Sequence, residues 1–534
     1  MNRVLIVLLS FICLHTLVYA QKPNQNNMTA STNKVAALFQ IIDLFYVDTV
    51  NEQKVVDDGI RSMLKDLDPH SVYIPADELK ETNEPLVGKF EGIGVQFNIL
   101  HDTIMVTNTI PGGPSEKLGI MAGDRIVNIN GELVAGIKIK NNDVLKKLRG
   151  DKGTKVMVDI YRRSEAQLIP FEITRDKIPL FSVDATYMAT PEIGYIKISR
   201  FADTTVEEFK EALAKLKTAG MKSLILDLQG NGGGYLNRAI ELADEFLPDK
   251  KMIVYTEGRA QARQENYATT TGGFEKGKLA VLIDETSASA SEIVSGAVQD
   301  WDRGLLIGRR SFGKGLVQKP YSLPDGSAVR LTIAHYYTPS GRCIQKSYEK
   351  GDENYDDDLS NRLKNGELYS RDSIKFNDSL KVFTNGKRVV YGGGGVMPDV
   401  FVPLDTTFNS KYWQDLRRKN VTGQWVLSYI DGNRKSLLEK YPTFDAFKKA
   451  FVLDQTRMDE FFDFAKKQEV PFDSAGFQTS ALLLKTVLTG SLAQNLYGSV
   501  SNYYEFVNEI NQPFKEAIRA INDKTFERNK VAAN

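Results

Sequence analysis

Residues 279–318 read LAVLIDETSASASEIVSGAVQDWDRGLLIGRRSFGKGLVQ. An apolar run, LAVLID, gives way to small polar residues, then to the helical spacing of ASEIVSGAVQDW, then to a second apolar run, LLIG. The runs read as strands flanking a helix. Upstream, EIGYIKI and SLILDL read as further strands, with the helix TTVEEFKEALAKLKTAG between them, and VRLTIAHYY downstream reads as another. From Phe181 to about Ile344 strands and helices alternate, which predicts a layered α/β domain.

Farther out, residues 89–175 change character. Short strands (GVQFNIL, TIMVTNTI, RIVNINGELV, KVMVDIYRR) are separated by Pro-Gly-Gly and Ala-Gly-Asp turns, so this part is β-rich. The acidic stretch Glu349–Leu380 reads as an inserted surface excursion, after which VVYGGGGVMPDVFVP returns to a strand pattern. From residue 406 onward the chain is helix-rich, with Phe444, Phe447 and Phe451 at helical spacing. Residues 21–33 are polar and read as disordered. Val35, Leu38, Ile42 and Phe45, then Val56, Ile60, Met63 and Leu67, mark two amphipathic helices, the second ended by Asp68-Pro69. Residues 1–20 pair Arg3 with an apolar stretch from Val4 to Cys13 and end Val18-Tyr19-Ala20, the pattern of a cleaved secretory signal.

Composition bounds the function. A chain of 534 residues predicts three or four domains. With 42% apolar and 25% charged residues it is an ordinary globular protein. Lys plus Arg and Asp plus Glu number 68 each, so no bulk field gathers nucleic acid or acidic lipid. Cys13 and Cys343 are the only cysteines, which excludes a disulfide framework and a cysteine-rich metal site.

Three segments carry residues suited to chemistry: Asp227-Leu-Gln-Gly-Asn-Gly-Gly-Gly234, Thr286-Ser-Ala-Ser-Ala-Ser-Glu292 and Ser311-Phe-Gly-Lys-Gly-Leu-Val-Gln318. Each follows or lies between strands, where ligands bind in layered sheets. Ser289-x-x-Glu292 before an apolar helix is a capping box. The same position suits a nucleophile, because exposed amides at a helix start favour developing negative charge, and the Ala290 amide can help hold an oxyanion. A serine needs a base. His70, His101 and His335 sit in no recognisable triad context, which leaves Lys314, between two glycines. An ordinary lysine, with pKa about 10.4, is charged at neutral pH; lowering it to 7–8 requires burial worth roughly 4 kcal/mol. A solvated Lys314 in a glycine turn is the plain alternative. Gly308–Gly315 is one residue short of a phosphate-binding loop, has glycine where the magnesium-binding hydroxyl belongs, and is followed by strand, so nucleotide binding is set aside. Gly232, Gly233 and Gly234 form a flexible turn or present amides to a substrate oxygen; the local sequence is compatible with both.

Together, in this order, the segments resemble the C-terminal processing peptidases, or tail-specific proteases. The likeness covers most of residues 35–405 and includes DPHSVYI (68–74), GIGVQF (92–97), GPSEKLGIMAGDRIVNINGE (113–132), SASASEIVSGAVQD (287–300), GRRSFGKGLVQ (308–318), LPDGSAVRLTIAHYYTPSGRCIQ (323–345) and VYGGGGVMPDV (390–400). It implies a signal peptide (1–20), an N-terminal helical region (21–88), a PDZ domain (89–175), a crotonase- and ClpP-like protease core (176–405, with the 346–380 insertion) and a C-terminal helical region (406–534). By the same likeness Ser289 is the nucleophile, Lys314 the general base, Gln318 its support, and Gly233 and Ala290 the oxyanion donors. Where the family has Asp-Leu-Arg-x-Asn-Pro-Gly-Gly, this chain has Gln229 and Gly232. In an extended chain residues 314 and 318 lie about 13 Å apart, so their contact requires the segment to coil or fold back. Gly92, Ile93, Gly94 and Val95 fit a carboxylate-binding loop leading into an edge strand that a peptide can extend.

The implied activity is that of an extracytoplasmic, periplasmic or envelope serine endopeptidase without metal or cofactor. It recognises apolar protein C-termini through its PDZ domain and cleaves through an acyl-enzyme. The helical regions are the expected surface for a second copy or an adaptor. The runner-up is a non-catalytic PDZ scaffold with a decayed core.

Overall fold

A computed structural model describes residues 25–100, 102–163, 165–269, 272–348, 355 and 357–531. The expected signal segment and His101 lie outside the described residues. The chain divides into two units, residues 1–67 and 68–534. The first holds helices Gln25–Phe45 and Glu52–Lys65, the second capped by the Asn51 side chain on the Lys54 N–H. The first helix begins at Gln25, ahead of the expected start, because no Pro or Gly interrupts QNNMTASTN.

The boundary expected at residue 88 falls earlier. Strand Val72–Ile74 pairs with Ala328–Tyr337, so the DPHSVYI segment is part of the second unit's sheet. That sheet is antiparallel and also includes Met252–Gly258, Gln261–Tyr267 and Leu316–Ser322.

The central sheet has six strands in the order Val183–Thr190, Ile193–Ile198, Ser223–Asp227, Leu279–Ile283, Leu305–Gly308 and Val400–Phe401. The first pair is antiparallel and the rest parallel. Every residue of IGYIKI, LAVLI and LLIG is buried, as a parallel sheet covered on both faces requires. One face packs against helices Thr205–Thr218, Leu236–Asp244 and Ala290–Asp300 through Phe209, Leu242 and Val294. The other is covered from the far end of the sequence: Phe514, Ala517, Ile521 and Phe526 pack on Ile225, Ala280, Leu282 and Ile307. Part of the expected C-terminal helical region thus covers one face of the central sheet.

Strands Val95–Leu100, Thr103–Thr109, Arg125–Ile129, Lys155–Tyr161 and Ile169–Thr174 form a sheet with its own core around Ile104, Val144 and Val158. The chain enters and leaves this domain through one two-stranded stalk, Lys89–Gly92 against Asp176–Pro179. A domain hung on such a stalk is an insertion. Residues 412–496 form a further aromatic-rich helical core around Trp425, Phe447 and Phe461.

The expected surface excursion contributes more than surface. Helix Asp358–Lys364 carries Arg362, which is 3% exposed and donates to the carbonyls of Ser311 at 2.8 Å and Phe312 at 3.0 Å. A guanidinium braces the loop that leads into Lys314. The acidic composition of the segment gave no sign of this buried side. Among the described residues no helix is long and apolar enough to cross a membrane.

Candidate active site

The serine segment turns from strand Leu279–Ile283 into helix Ala290–Asp300. Ser287 and Ser291 are both fully buried, and their hydroxyls donate to main-chain carbonyls, Leu228 at 2.8 Å and Asn231 at 2.9 Å. They staple the segment to the glycine turn after strand Ser223–Asp227. Ser289 differs from both. It is partly exposed, and its backbone sits at φ +54°, ψ −112°, a sparsely populated conformation for a residue with a Cβ. Glu292, three residues on, closes a capping box with this turn, its carboxylate accepting the Ser289 N–H at 2.8 Å.

Glu292 does much more than cap. Its fully buried carboxylate also accepts the N–H groups of Gly313 (2.7 Å) and Lys314 (2.9 Å) and the Ser311 hydroxyl. Complete burial pushes its pKa up to about 7, although these four donors favour the charged form. On the opposite side the buried Tyr336 hydroxyl lies 3.1 Å from the Ser289 carbonyl and 2.6 Å from the Lys314 carbonyl. The turn bearing Ser289 and the loop bearing Lys314 are therefore tied together twice. The capping-box spacing pointed to Glu292 only as a cap; nothing local in the sequence marked Tyr336.

Lys314 Nζ donates to Gln318 Oε1 at 3.0 Å. The two meet where the register of strand Leu316–Ser322 against Ala328–Tyr337 shifts between Val317 and Gln318, with the extra residue, Ile333, in the partner strand. Gln318 Nε2 in turn donates to the His70 carbonyl. That carbonyl is held by the DPHS turn, in which Asp68 accepts from the N–H groups of His70 (2.8 Å) and Ser71 (2.9 Å) and from the Ser71 hydroxyl (2.6 Å). Burial lowers the Lys314 pKa, and the nearby Arg330 guanidinium lowers it further, while Asp68 and Glu292 act in the opposite sense.

The Ala290 N–H, at the first position of its helix, has no acceptor among the described residues. Gly233 lies directly against the nucleophile candidate. A Cβ there would come within 2.8 Å of Ser289 Cβ, and its φ of +101° also excludes other residues. Its N–H, however, is engaged by Asn231 Oδ1 at 2.9 Å. Gln229 folds back on Asp227, with 2.8 Å from its N–H and 3.2 Å from its side-chain amide.

In the inserted domain the carbonyls of Ile93 and Gly94 are turned inward. Ile93 accepts from the Ser115 N–H and hydroxyl, and Gly94 from the Ile110 N–H. The N–H groups of Ile93 and Gly94 have no acceptor among the described residues. Gly92 pairs with Asp176 in the stalk, and Val95 opens the strand Val95–Leu100, which is paired on one side only.

The peptidase family S41 profile matches residues 192–354, and a PDZ domain profile matches 105–162. The N-terminal domain of the activating protease CtpB matches 14–78, and a family of unknown function matches 412–498. A carboxy-terminal-processing protease of Bartonella bacilliformis is 36% identical over 343 residues, 63% of this chain and 78% of the relative. The carboxy-terminal processing protease CtpB of Bacillus subtilis is 33% identical over 67% of this chain and 73% of its own. Among solved structures, a photosystem II D1 C-terminal processing protease aligns with 69% of this chain and 92% of its own, at 25% identity and a TM-score of 0.36. The chain belongs to the carboxy-terminal processing proteases of family S41, and it is a serine-type peptidase carrying a PDZ domain.

Proposed function

We propose that the protein is an endopeptidase acting outside the cytoplasm, in which Ser289 and Lys314 form a catalytic dyad and the PDZ domain takes the free C-terminus of a protein substrate. The observation that carries this reading is the double tie between the two residues: Glu292 accepts both backbone N–H groups, and Tyr336 reaches both carbonyls. Such ties hold a nucleophile and its base in one geometry.

Neutral Lys314 takes the proton of Ser289 Oγ as the oxygen attacks the scissile carbonyl. The Gln318 oxygen accepts one N–H of the neutral amine and so turns its single lone pair toward the serine. The oxyanion forms beside the Ala290 N–H, with helix Ala290–Asp300 placing its positive end there. Gly233 contributes a second donor once its N–H turns from Asn231. The ammonium of Lys314 returns its proton to the leaving amine, leaving the acyl group as an ester on Ser289. Water then attacks the ester, with Lys314 again taking and returning the proton. No metal or cofactor enters any step.

The leader-like residues 1–20 support an extracytoplasmic site, and the order of strands and helices supports a crotonase- and ClpP-like core. Val95, Phe97 and Ile99, partly buried against the PDZ core, support a preference for apolar C-termini. The exposed Val35, Leu38, Ile41 and Leu44 of the first helix offer a surface for a second copy or an adaptor.

The test is hydrolysis of an unfolded protein with an apolar C-terminus. Ser289→Ala is expected to lower kcat by roughly 10³-fold or more, while Ser287→Ala and Ser291→Ala retain most of it. A dead Ser291→Ala beside an active Ser289→Ala would overturn the assignment.

A further inference from the structure

The helix Val421–Lys440, from the region matched only to a family of unknown function, is fastened to the PDZ domain. Arg125 Nη2 meets Asp431 Oδ2 at 2.7 Å, with both side chains largely buried, and Arg163 Nη1 donates to the Asp431 carbonyl at 2.9 Å. Leu427 packs with Leu100 and Met105 of the PDZ sheet. These contacts set the start of the helix beside one end of the edge strand Val95–Leu100. An open cavity of about 380 Å³ lies there, walled by Asn98, Lys140 and Asn141 from the PDZ side and Asn420, Gln424 and Leu427 from the helical side.

The position of this cavity along the PDZ groove matters. The groove runs between the edge strand and helix Asn141–Leu148. The Gly92 end lies by the C-terminus of that helix, since a Cβ on Gly92 would sit 3.6 Å from the Leu148 carbonyl. The cavity lies at the opposite end, at Leu100 and Asn141. From Val95 to Leu100 an extended strand advances about 17 Å, or five residues. A peptide added antiparallel to the strand, with its carboxylate on the Ile93 and Gly94 amides, brings its sixth or seventh residue from the end to the cavity. The wall there consists of carboxamides, one ammonium and apolar carbon, and it contains no carboxylate.

We propose that this cavity is a second subsite of the peptide groove, built jointly by the PDZ domain and the C-terminal helical region, which takes an acidic side chain of the substrate about six residues before its C-terminus. The inference rests on the PDZ domain holding the substrate's terminal carboxylate, as proposed above. The PDZ loop then selects the end of the chain, and the helical region reads the sequence leading up to it. The groove becomes longer than one domain can make it, and a match at both ends ties affinity to a longer signature.

The test uses the full chain carrying Ser289→Ala, so that peptides are bound but not cut, and follows fluorescence anisotropy. Peptides share four apolar C-terminal residues and are extended from four to nine residues, with glutamate at the sixth position from the end. Affinity is expected to rise about tenfold when the sixth and seventh residues are added, the scale of a charge-assisted contact. Lys140→Ala and the pair Asn420→Ala and Gln424→Ala should each erase that step, while the four-residue peptide binds as before. In the active enzyme the same changes should raise KM for the long substrate and leave kcat unaltered. A flat length series with binding still lost on C-terminal amidation would overturn the subsite and keep the PDZ reading. Binding indifferent to amidation would overturn the PDZ reading on which the subsite rests. Tighter binding of long peptides by the variants would show that the helix bars the groove, and would also overturn the proposal.

Discussion

A lysine can act as a base only in its neutral form, and Lys314 is held where charge is disfavoured: it is enclosed by the loops around it and faced by Arg330. Its pKa lies below the ordinary 10.5, so the neutral fraction grows as pH rises through the lowered value, and activity rises with it. A single acid limb, set below the ordinary lysine range by that burial, is expected. Lys314→Arg keeps the charge but cannot deprotonate, so it should be inactive at every pH; appreciable turnover would show that the side chain acts through its charge. Glu292 makes a finer case. Its negative charge favours the lysine's ammonium, so Glu292→Gln should move the acid limb to lower pH. The amide cannot accept all four donors that the carboxylate holds, so kcat should fall as well, by about 10- to 100-fold. A fall in kcat with an unmoved limb would mean that Glu292 positions the loops without acting on the base through its charge.

Elements set the placement of these side chains. Gln318 meets Lys314 where the partner strand Ala328–Tyr337 bulges at Ile333, and the DPHS turn anchors Gln318 from the other side through the His70 carbonyl. Gly395 packs against the same loop, where a Cβ would come within 2.5 Å of the Ser311 carbonyl, so the glycine run of residues 392–395 is a close-approach surface. In the PDZ domain the edge strand Val95–Leu100 has a free side, and the amides at Ile93 and Gly94 await an acceptor. Amidating a substrate's C-terminus removes the charge those amides would hold. Measured KM should rise roughly 10-fold, the effect of losing one charge-assisted contact. Equal turnover of acid and amide would remove terminal recognition.

At the scale of the whole molecule the chain closes on itself. The last helices cover the sheet face that the helices of the protease region leave open, with Phe514, Ile521 and Phe526 buried there. Each such side chain is worth roughly 1.5–3 kcal/mol, so together they approach the net stability of about 5–15 kcal/mol of a typical folded protein. Ending the chain after Asn511 should therefore yield insoluble protein or a large fall in Tm. A truncated enzyme with unchanged Tm and activity would show that these helices are dispensable.

The elements were legible in the residues wherever pattern is local. Fully apolar runs gave buried strands, the turn-punctuated segment gave the inserted β domain, and the three motif segments pointed to Ser289, Lys314 and Gln318. A period of two or 3.6 residues depends only on near neighbours in the chain. Contacts between distant segments leave no such trace. The link between Glu292 and Gly313 spans 21 residues, that between Tyr336 and Ser289 spans 47, and Arg362 reaches back 51 to Ser311. The engagement of Gly233 by Asn231 lies only two residues apart, yet it depends on a backbone conformation no spacing reveals. The second face of the parallel strands up to Leu305–Gly308 waits on helices more than 200 residues later. Composition and periodicity specify which face of an element is apolar. Which element comes to cover it, and which amide is left free for a substrate, is settled when the whole chain packs.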